Sequence, residues 1–329
     1  YYKDSGYNHK MNIYPWHQSN WKNLFFDVKR FSHGLILHGP SNSGINDFAS
    51  IASKKLICTN SKGSESYCGD CQNCSWFDSQ SHPDLFAINN SSLEETKSIV
   101  NIDLIRELKV FFELSSHQKN GKKVAVIYDA HQMNLAASNA LLKILEEPPN
   151  DSVIILTTSG LSSLLPTIKS RSRLEAFHKP SYTEATNFLR TINKDNLSPY
   201  LQLHNGNPLA LINDHENHPL LIEIIHCLKL GKKFNLSDIN GQWFSNGLLW
   251  LINLLQKWSY DILLSKYTNQ QHYFPSEESI INQLAKNSNA SALLKFQKML
   301  IDVKLYATSP VNKEINLDII FIDYRKIFI

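Results

Sequence analysis

Cys58, Cys68, Cys71 and Cys74 stand in the pattern Cys-x9-Cys-x2-Cys-x2-Cys. Four thiolates are what a tetrahedral structural zinc site uses, and two overlapping CxxC steps place three of them on one tight loop. Gly69 helps that loop turn, and Gly63 lies in the polar excursion "TNSKGSESY" after the first cysteine. With four ligands supplied, no position is open for a catalytic water, so the role expected of the metal is structural. An iron–sulfur cluster, a redox pair and plain buried thiols are the alternatives. The fifth cysteine, Cys227, has no Cys or His at ligand spacing and reads as a small buried hydrophobe.

A second group of residues has the spacing of a phosphate-binding loop without its chemistry. In "GPSNSGIND" (39–47), Gly39 and Gly44 match the template GxxxxGK[ST]. Ile45 occupies the Lys position, and Asn46 the position of the Mg²⁺-binding hydroxyl. In "VAVIYDA", Asp129 sits where an acid would hold Mg²⁺, yet Ala130 follows where a Glu would polarise water. Two plain readings stay open: a loop joining strand to helix for the glycine pair, and a capping carboxylate for Asp129. Further along, "LLPTIKSRSRL" (164–174) carries Arg171 and Arg173 among serines. An arginine on such a loop is either a solvated charge or a cation inserted against a neighbour's γ-phosphate.

The elements that must position these groups alternate. "GLILHG" (34–39), "DLFAIN" (84–89), "KVAVIYDA" (123–130), "SVIILTT" (152–158) and "RLEAF" (173–177) read as strands, several of them apolar on both faces as a covered parallel sheet requires. Between them "INDFASIASKKLI", "IDLIRELKVFFEL" and "LAASNALLKILEEPP" have helical spacing, the last stopped by Pro148–Pro149. The alternation predicts an α/β doubly wound sheet over residues 11–177. After "HKPS", Ser181 or Thr183 caps a helix and two short helical stretches flank "HNGNP", making a small helical part over 178–216. From 217 to 329 long amphipathic helices predict an all-α bundle.

Composition sets outer bounds. The 329 residues are 42% hydrophobic, as for packed globular domains, and the net charge of +3 with no basic stripe gives no ground for a dedicated nucleic-acid binder. The longest apolar run, "GLLWLINLL", meets Gln256 and Lys257 before it could span a bilayer, so no membrane association is expected. The segment Tyr1–Lys10 precedes the first methionine, Met11, and is expected to be an expression remnant outside the fold. It shows no apolar signal region, and cysteines clustered for metal suit a reducing compartment, so a cytoplasmic location is expected.

"NALLKILEEPP", the apolar strand ending in Asp129 before it, the "LTT" strand after it and "IKSRSRL" together resemble the clamp-loader AAA+ family of bacterial DNA polymerase III, nearest its delta-prime branch. "MNIYPWHQSNWKNL", "SHGLILHGPSNSG", the four-Cys insertion and "SHPDLFAIN" add to the likeness, which is rich in motifs to about Ser172. Beyond that it is architectural, with short echoes in "NGNPLALI" (205–212) and "NKEINLDII" (312–320). The resemblance implies a RecA-like AAA+ domain with a zinc module (58–74), a small helical lid over 178–216 and a C-terminal helical collar over 217–329. It implies partnership with the gamma/tau ATPase subunits and the delta subunit, and indirectly with the beta clamp and primer-template DNA. Its family motif Ser-Arg-Cys corresponds to Ser170, Arg171 and Ser172, making Arg171 an arginine finger acting in trans; Arg173 lies outside the motif. Where ATP-binding members place an Arg after Gly, "GNPLALI" has none. No ATP is therefore expected at the loop, and no intrinsic ATPase, within a holoenzyme that replicates DNA. Two other readings compete: an ATP-binding loader subunit with an unusual loop, and a zinc-containing nucleic-acid-binding module in repair.

Overall fold

A computed structural model describes residues 13–26, 31–61, 67–88, 100–117, 121–239, 241–307 and 317–329. Tyr1–Lys10 and Gly63 lie outside them, as do most of "NKEINLDII" and the end of "SHPDLFAIN". The chain divides into two compact units, Tyr1–Glu184 and Ala185–Ile329.

The first unit is built on five parallel strands: β1 (Gly34–His38), β2 (Leu85–Ile88), β3 (Lys123–Ile127), β4 (Ser152–Thr158) and β5 (Arg173–Ala176), in the order β2-β3-β4-β1-β5. Both faces of the central strands are apolar because both are covered. Leu35, Leu37, Val124, Val126, Val153 and Ile155 point into one cluster, with Phe48 and Ile51 of α2 (Ile45–Ile57) and Trp21 and Leu24 of α1 (Gln18–Phe25). The alternate residues Ile36, Ala125, Ile127, Ile154 and Leu156 point the other way. They meet Ile105 and Leu108 of α4 (Ile102–Glu113), Leu141 and Leu145 of α5 (Leu135–Glu146) and Ile168 of α6 (Pro166–Ser170). The short α3 (Gln72–Asp78) follows the cysteine loop.

Strand β3 stops at Ile127, short of the 123–130 read from the apolar run. Asp129 takes a left-handed backbone (φ 50°), which no ladder residue can hold, and its N–H turns to Thr157 Oγ1 at 3.0 Å. At the other edge, β5 is covered by α1: Asn20 donates to Glu175 Oε1 (2.7 Å) and to the Ala176 carbonyl (2.9 Å), and Arg173 reaches the Asn23 carbonyl.

The second unit is helical. Helix α7 (Tyr182–Thr191) straddles the boundary and opens with a reciprocal capping box between Ser181 and Glu184. It is followed by α8 (Pro208–Asn213), α9 (His218–Leu228), α10 (Leu248–Thr268), α11 (Glu278–Lys286), α12 (Ala290–Ala307) and α13 (Leu317–Arg325). Ala185, Leu189, Leu201 and Leu211 make a small core. A larger one centres on Trp243, Trp258, Phe321 and Tyr324, with Trp258 Nε1 donating to the Tyr324 hydroxyl at 2.9 Å. Cys227 packs against that larger core, half-buried, as a hydrophobe would. No helix among the described residues is long and apolar enough to cross a membrane.

Candidate nucleotide loop, thiol cluster and arginine corner

The loop from Gly39 to Asp47 lies where a doubly wound sheet binds ligands. It leaves the carboxyl end of β1, between β4 and β5, and the Gly39 N–H is taken by the Thr158 carbonyl. Both glycines have reasons that involve no nucleotide. A Cβ on Gly39 would stand 2.5 Å from the Phe177 carbonyl oxygen, and Gly44 is left-handed (φ 88°) as it starts α2. Ile45, 7% exposed, lays its Cδ1 against Gly39 and joins the cluster beneath the sheet. Asn46 is half-buried.

Above the loop sits a set of aromatic side chains. The Tyr14 and Trp16 rings stack with centroids 5.0 Å apart. Trp16 Nε1 donates to the Ser43 carbonyl, and the Tyr14 hydroxyl to Asp47 Oδ2 at 2.9 Å. His17, fully buried, is edged by Phe177 (4.8 Å) and Phe48 (5.9 Å), and both ring nitrogens are without partners among the described residues. Burial lowers its pKa to about 4, so at neutral pH it is an uncharged aromatic plug. Asp47 lies in the first turn of α2, and burial raises its pKa against the Tyr14 hydrogen bond. Its carboxylate already takes the place at the positive end of the helix that a phosphate would want.

Asp129 reaches the same end of the sheet, at the start of a one-turn 3-10 helix, but its side chain makes no cap bond there. Ala130 behind it is fully buried in the core. The structure thus brings loop and acid to the same end of the sheet, with alkyl groups, Ile45 and Ala130, where the template has a Lys and a Glu.

The four cysteine sulfurs converge. All lie within 4.8 Å of one another, with Cys58–Cys68 at 3.5 Å and both Cys58–Cys71 and Cys68–Cys74 at 3.9 Å. A tetrahedral ion with bonds of about 2.3 Å sets its sulfurs about 3.8 Å apart, so the cluster is within metal-binding distance and compatible with structural zinc. Cys58 caps α2, Cys71 caps α3 and Gly69 makes the turn with φ 85°. The Cys68 N–H donates to the Cys58 sulfur, and Asn73 fastens α3 to the Ile57 carbonyl at 2.7 Å. Burial opposes ionisation of Cys71, but hydrogen bonds from Thr59, Cys74 and Cys68 outweigh it and bring the thiol down to about 6. Burial drives Cys74 upward.

Arg171 stands at the opposite end of the sheet. It caps α6 and leads into β5 beside the first residue of β1; a Cβ on Gly34 would touch the Arg171 carbonyl, Ser172 Oγ and Leu145 Cδ2 at 3.0–3.2 Å. The guanidinium, 37% exposed, pairs with Glu146 Oε1 at 2.8 Å and donates to the Thr167 carbonyl and Ser170 Oγ. The five residues of β1, about 17 Å of strand, separate it from its own loop. Arg173 instead lies along β5 with Glu175. Ser172, at the motif's Cys position, has a buried hydroxyl without a partner.

The plug Tyr14–Trp16–His17 and the Glu146 partner were not read from spacing. The aromatic run "YPWH" ahead of a strand, and an acid at a helix C-terminus, are the signals that point to them.

The family model for "DNA polymerase III, delta subunit" matches residues 18–181. The chain is 29% identical to the DNA polymerase III subunit delta' of Pseudomonas aeruginosa, over 91% of this chain and 93% of that protein. It is 28% identical to the Escherichia coli subunit of the same name, over 93% of each. Among solved structures it is similar to a gamma subunit-related protein of DNA polymerase III from Thermotoga maritima. That match has a TM-score of 0.43 and 19% identity, over 87% of this chain and 99% of that one.

Proposed function

The chain belongs to the bacterial DNA polymerase III delta-prime family, and from that premise we propose a clamp-loader subunit that hydrolyses no nucleotide and offers Arg171 to the ATP of a neighbour. In this reading it helps load the beta sliding clamp onto primed DNA, together with gamma/tau and delta subunits. Residues 178–216 act as the lid and 217–329 as the collar.

One observation carries the proposal: the loop lies at the carboxyl ends of the strands of one parallel sheet and the arginine at their amino ends. A guanidinium placed there cannot reach its own loop, and becomes useful only when a second molecule presents a triphosphate to that end. A preorganised cation at such a place stabilises charge building on a transferring phosphoryl group. The loop, with Ile45 packed against Gly39 and with Trp16 and Tyr14 bonded to Ser43 and Asp47, keeps the fold of a nucleotide site because β1, β5 and α2 pack through it.

The isolated chain, titrated with MgATP to millimolar concentration in a calorimeter, should show no saturable binding; tight Mg²⁺-dependent binding overturns the first half of the proposal. In the reconstituted complex, Arg171→Ala should leave assembly intact and lower DNA- and clamp-stimulated ATPase by about tenfold or more. An unchanged rate removes the finger.

For the thiols we propose one structural Zn²⁺ held by Cys58, Cys68, Cys71 and Cys74. Elemental analysis should find one zinc per chain, and Cys71→Ser should lose it and soften the first unit.

A further inference from the structure

A glutamate at the carboxyl end of a helix is a local conflict. The helix dipole disfavours a negative charge there. Glu146 ends α5 and Glu147 caps it. Of these two acids, Glu146 is the one placed on Arg171, at 2.8 Å; among the described residues Glu147 makes no side-chain bond. The conflict at Glu146 is therefore compensated by one cation, Arg171.

The geometry around the pair is stiff on the backbone and loose at the tip. Pro148 and Pro149 end α5 abruptly, and the Leu145 carbonyl is 3.2 Å from His33 Nε2. Gly34 lets residues 145, 171 and 172 crowd against β1. The side chains themselves stay accessible, 37% for Arg171 and 48% for Glu146. A pair so exposed contributes little to stability, enough to select a rotamer and little enough to yield to a phosphate. Glu146 and Thr167 grip the guanidinium through two of its nitrogens, and among the described residues Nε takes no partner.

We propose that Glu146 is the positioning residue for Arg171: it orients the guanidinium at the sheet edge so that its free donors face the neighbouring subunit. This rests on the arginine-finger reading and adds to it a residue of this chain that never touches the nucleotide.

Two measurements test it. In the isolated chain, the Arg171 side-chain nitrogen signals, followed by NMR, should show hindered rotation that disappears in Glu146→Ala and survives in Glu146→Gln, which keeps an acceptor. In the reconstituted complex, Glu146→Ala should lower the stimulated kcat about three- to tenfold with KM for ATP unchanged, because orientation counts in the transition state. Glu146→Gln should recover most of the rate, and Glu147→Ala should match the unaltered complex. The double variant Glu146→Ala/Arg171→Ala should be no slower than Arg171→Ala alone. If Arg171→Ala slows the complex while Glu146→Ala does not, or if the two losses multiply, the positioning role is wrong and the finger stands. If the Arg171 signals ignore Glu146→Ala, the positioning role is wrong as well. A silent Arg171→Ala removes the finger and this inference with it.

Discussion

Two ends of the same sheet have been treated in opposite ways. At the carboxyl ends of the strands, Trp16 and Tyr14 bond to Ser43 and Asp47 of the loop, His17 packs between Phe48 and Phe177, and Ile45 is buried against Gly39. At the amino ends, Arg171 stands half-open, held by one carboxylate and two weak bonds. At the loop, packing occupies the positions where the phosphate-loop template has charged side chains, and rigidity is the gain. At the arginine corner the chain holds the cation only loosely, as the proposed role toward a neighbour requires, since a tightly satisfied cation has little left to offer.

The sharpest test of that contrast is Trp16→Ala, which removes both the stack and the Ser43 bond; a loss of about 3–5 kcal/mol is expected from chemical denaturation. A loss under 1 kcal/mol would mean that the aromatic lid merely rests on the loop.

The next effect is pH. His17 has a folded pKa of about 4 against 6.5 for the free side chain. Between those values the unfolded chain binds the proton and the folded chain does not, so stability is full above 6.5 and falls as pH drops toward 4. The total is of order 3 kcal/mol for a shift this large. His204 in the second unit titrates in the same direction, also lowered to about 4 by burial, so the contribution of the aromatic plug is the part of the slope that His17→Phe abolishes.

At the arginine corner the expected changes are smaller. Ser172→Ala removes a buried hydroxyl without a partner and should stabilise the chain by about 1 kcal/mol. Arg171→Ala should shift stability by less than about 0.5 kcal/mol, whatever it does to the assembled complex. A large loss there would make the arginine a structural post and erase the contrast.

Much of the first unit was legible because its information is local. Unbroken apolar runs marked the central strands, and "SVIILTT" matches β4 residue for residue. The thiol cluster was legible for the same reason: its four ligands fall in one short stretch, and their spacing is already a statement about geometry. Strand β3 was read too far because Tyr128 and Ala130 extend the apolar run, while a left-handed Asp129 leaves no mark on periodicity. The loss of chemistry at Ile45 and Asn46 was visible; the reason Gly39 must be glycine was not, since the carbonyl it would strike belongs to Phe177, on the far side of the domain in sequence. Glu146 is the same kind of case. A lone acid at a helix end has many partners available to it, and only the turn through Pro166–Ser170 brings Arg171 beside it.

The short β5 has a consequence for how the molecule behaves in a crowd. Its four residues carry Arg173 and Glu175, and Asn20 of α1 has already claimed the Ala176 carbonyl. A stray strand seeking a template meets charge and an occupied acceptor there. Chains meeting by chance are thereby denied ladder-to-ladder growth along this border, which leaves side-chain contacts as the means by which another protein engages it.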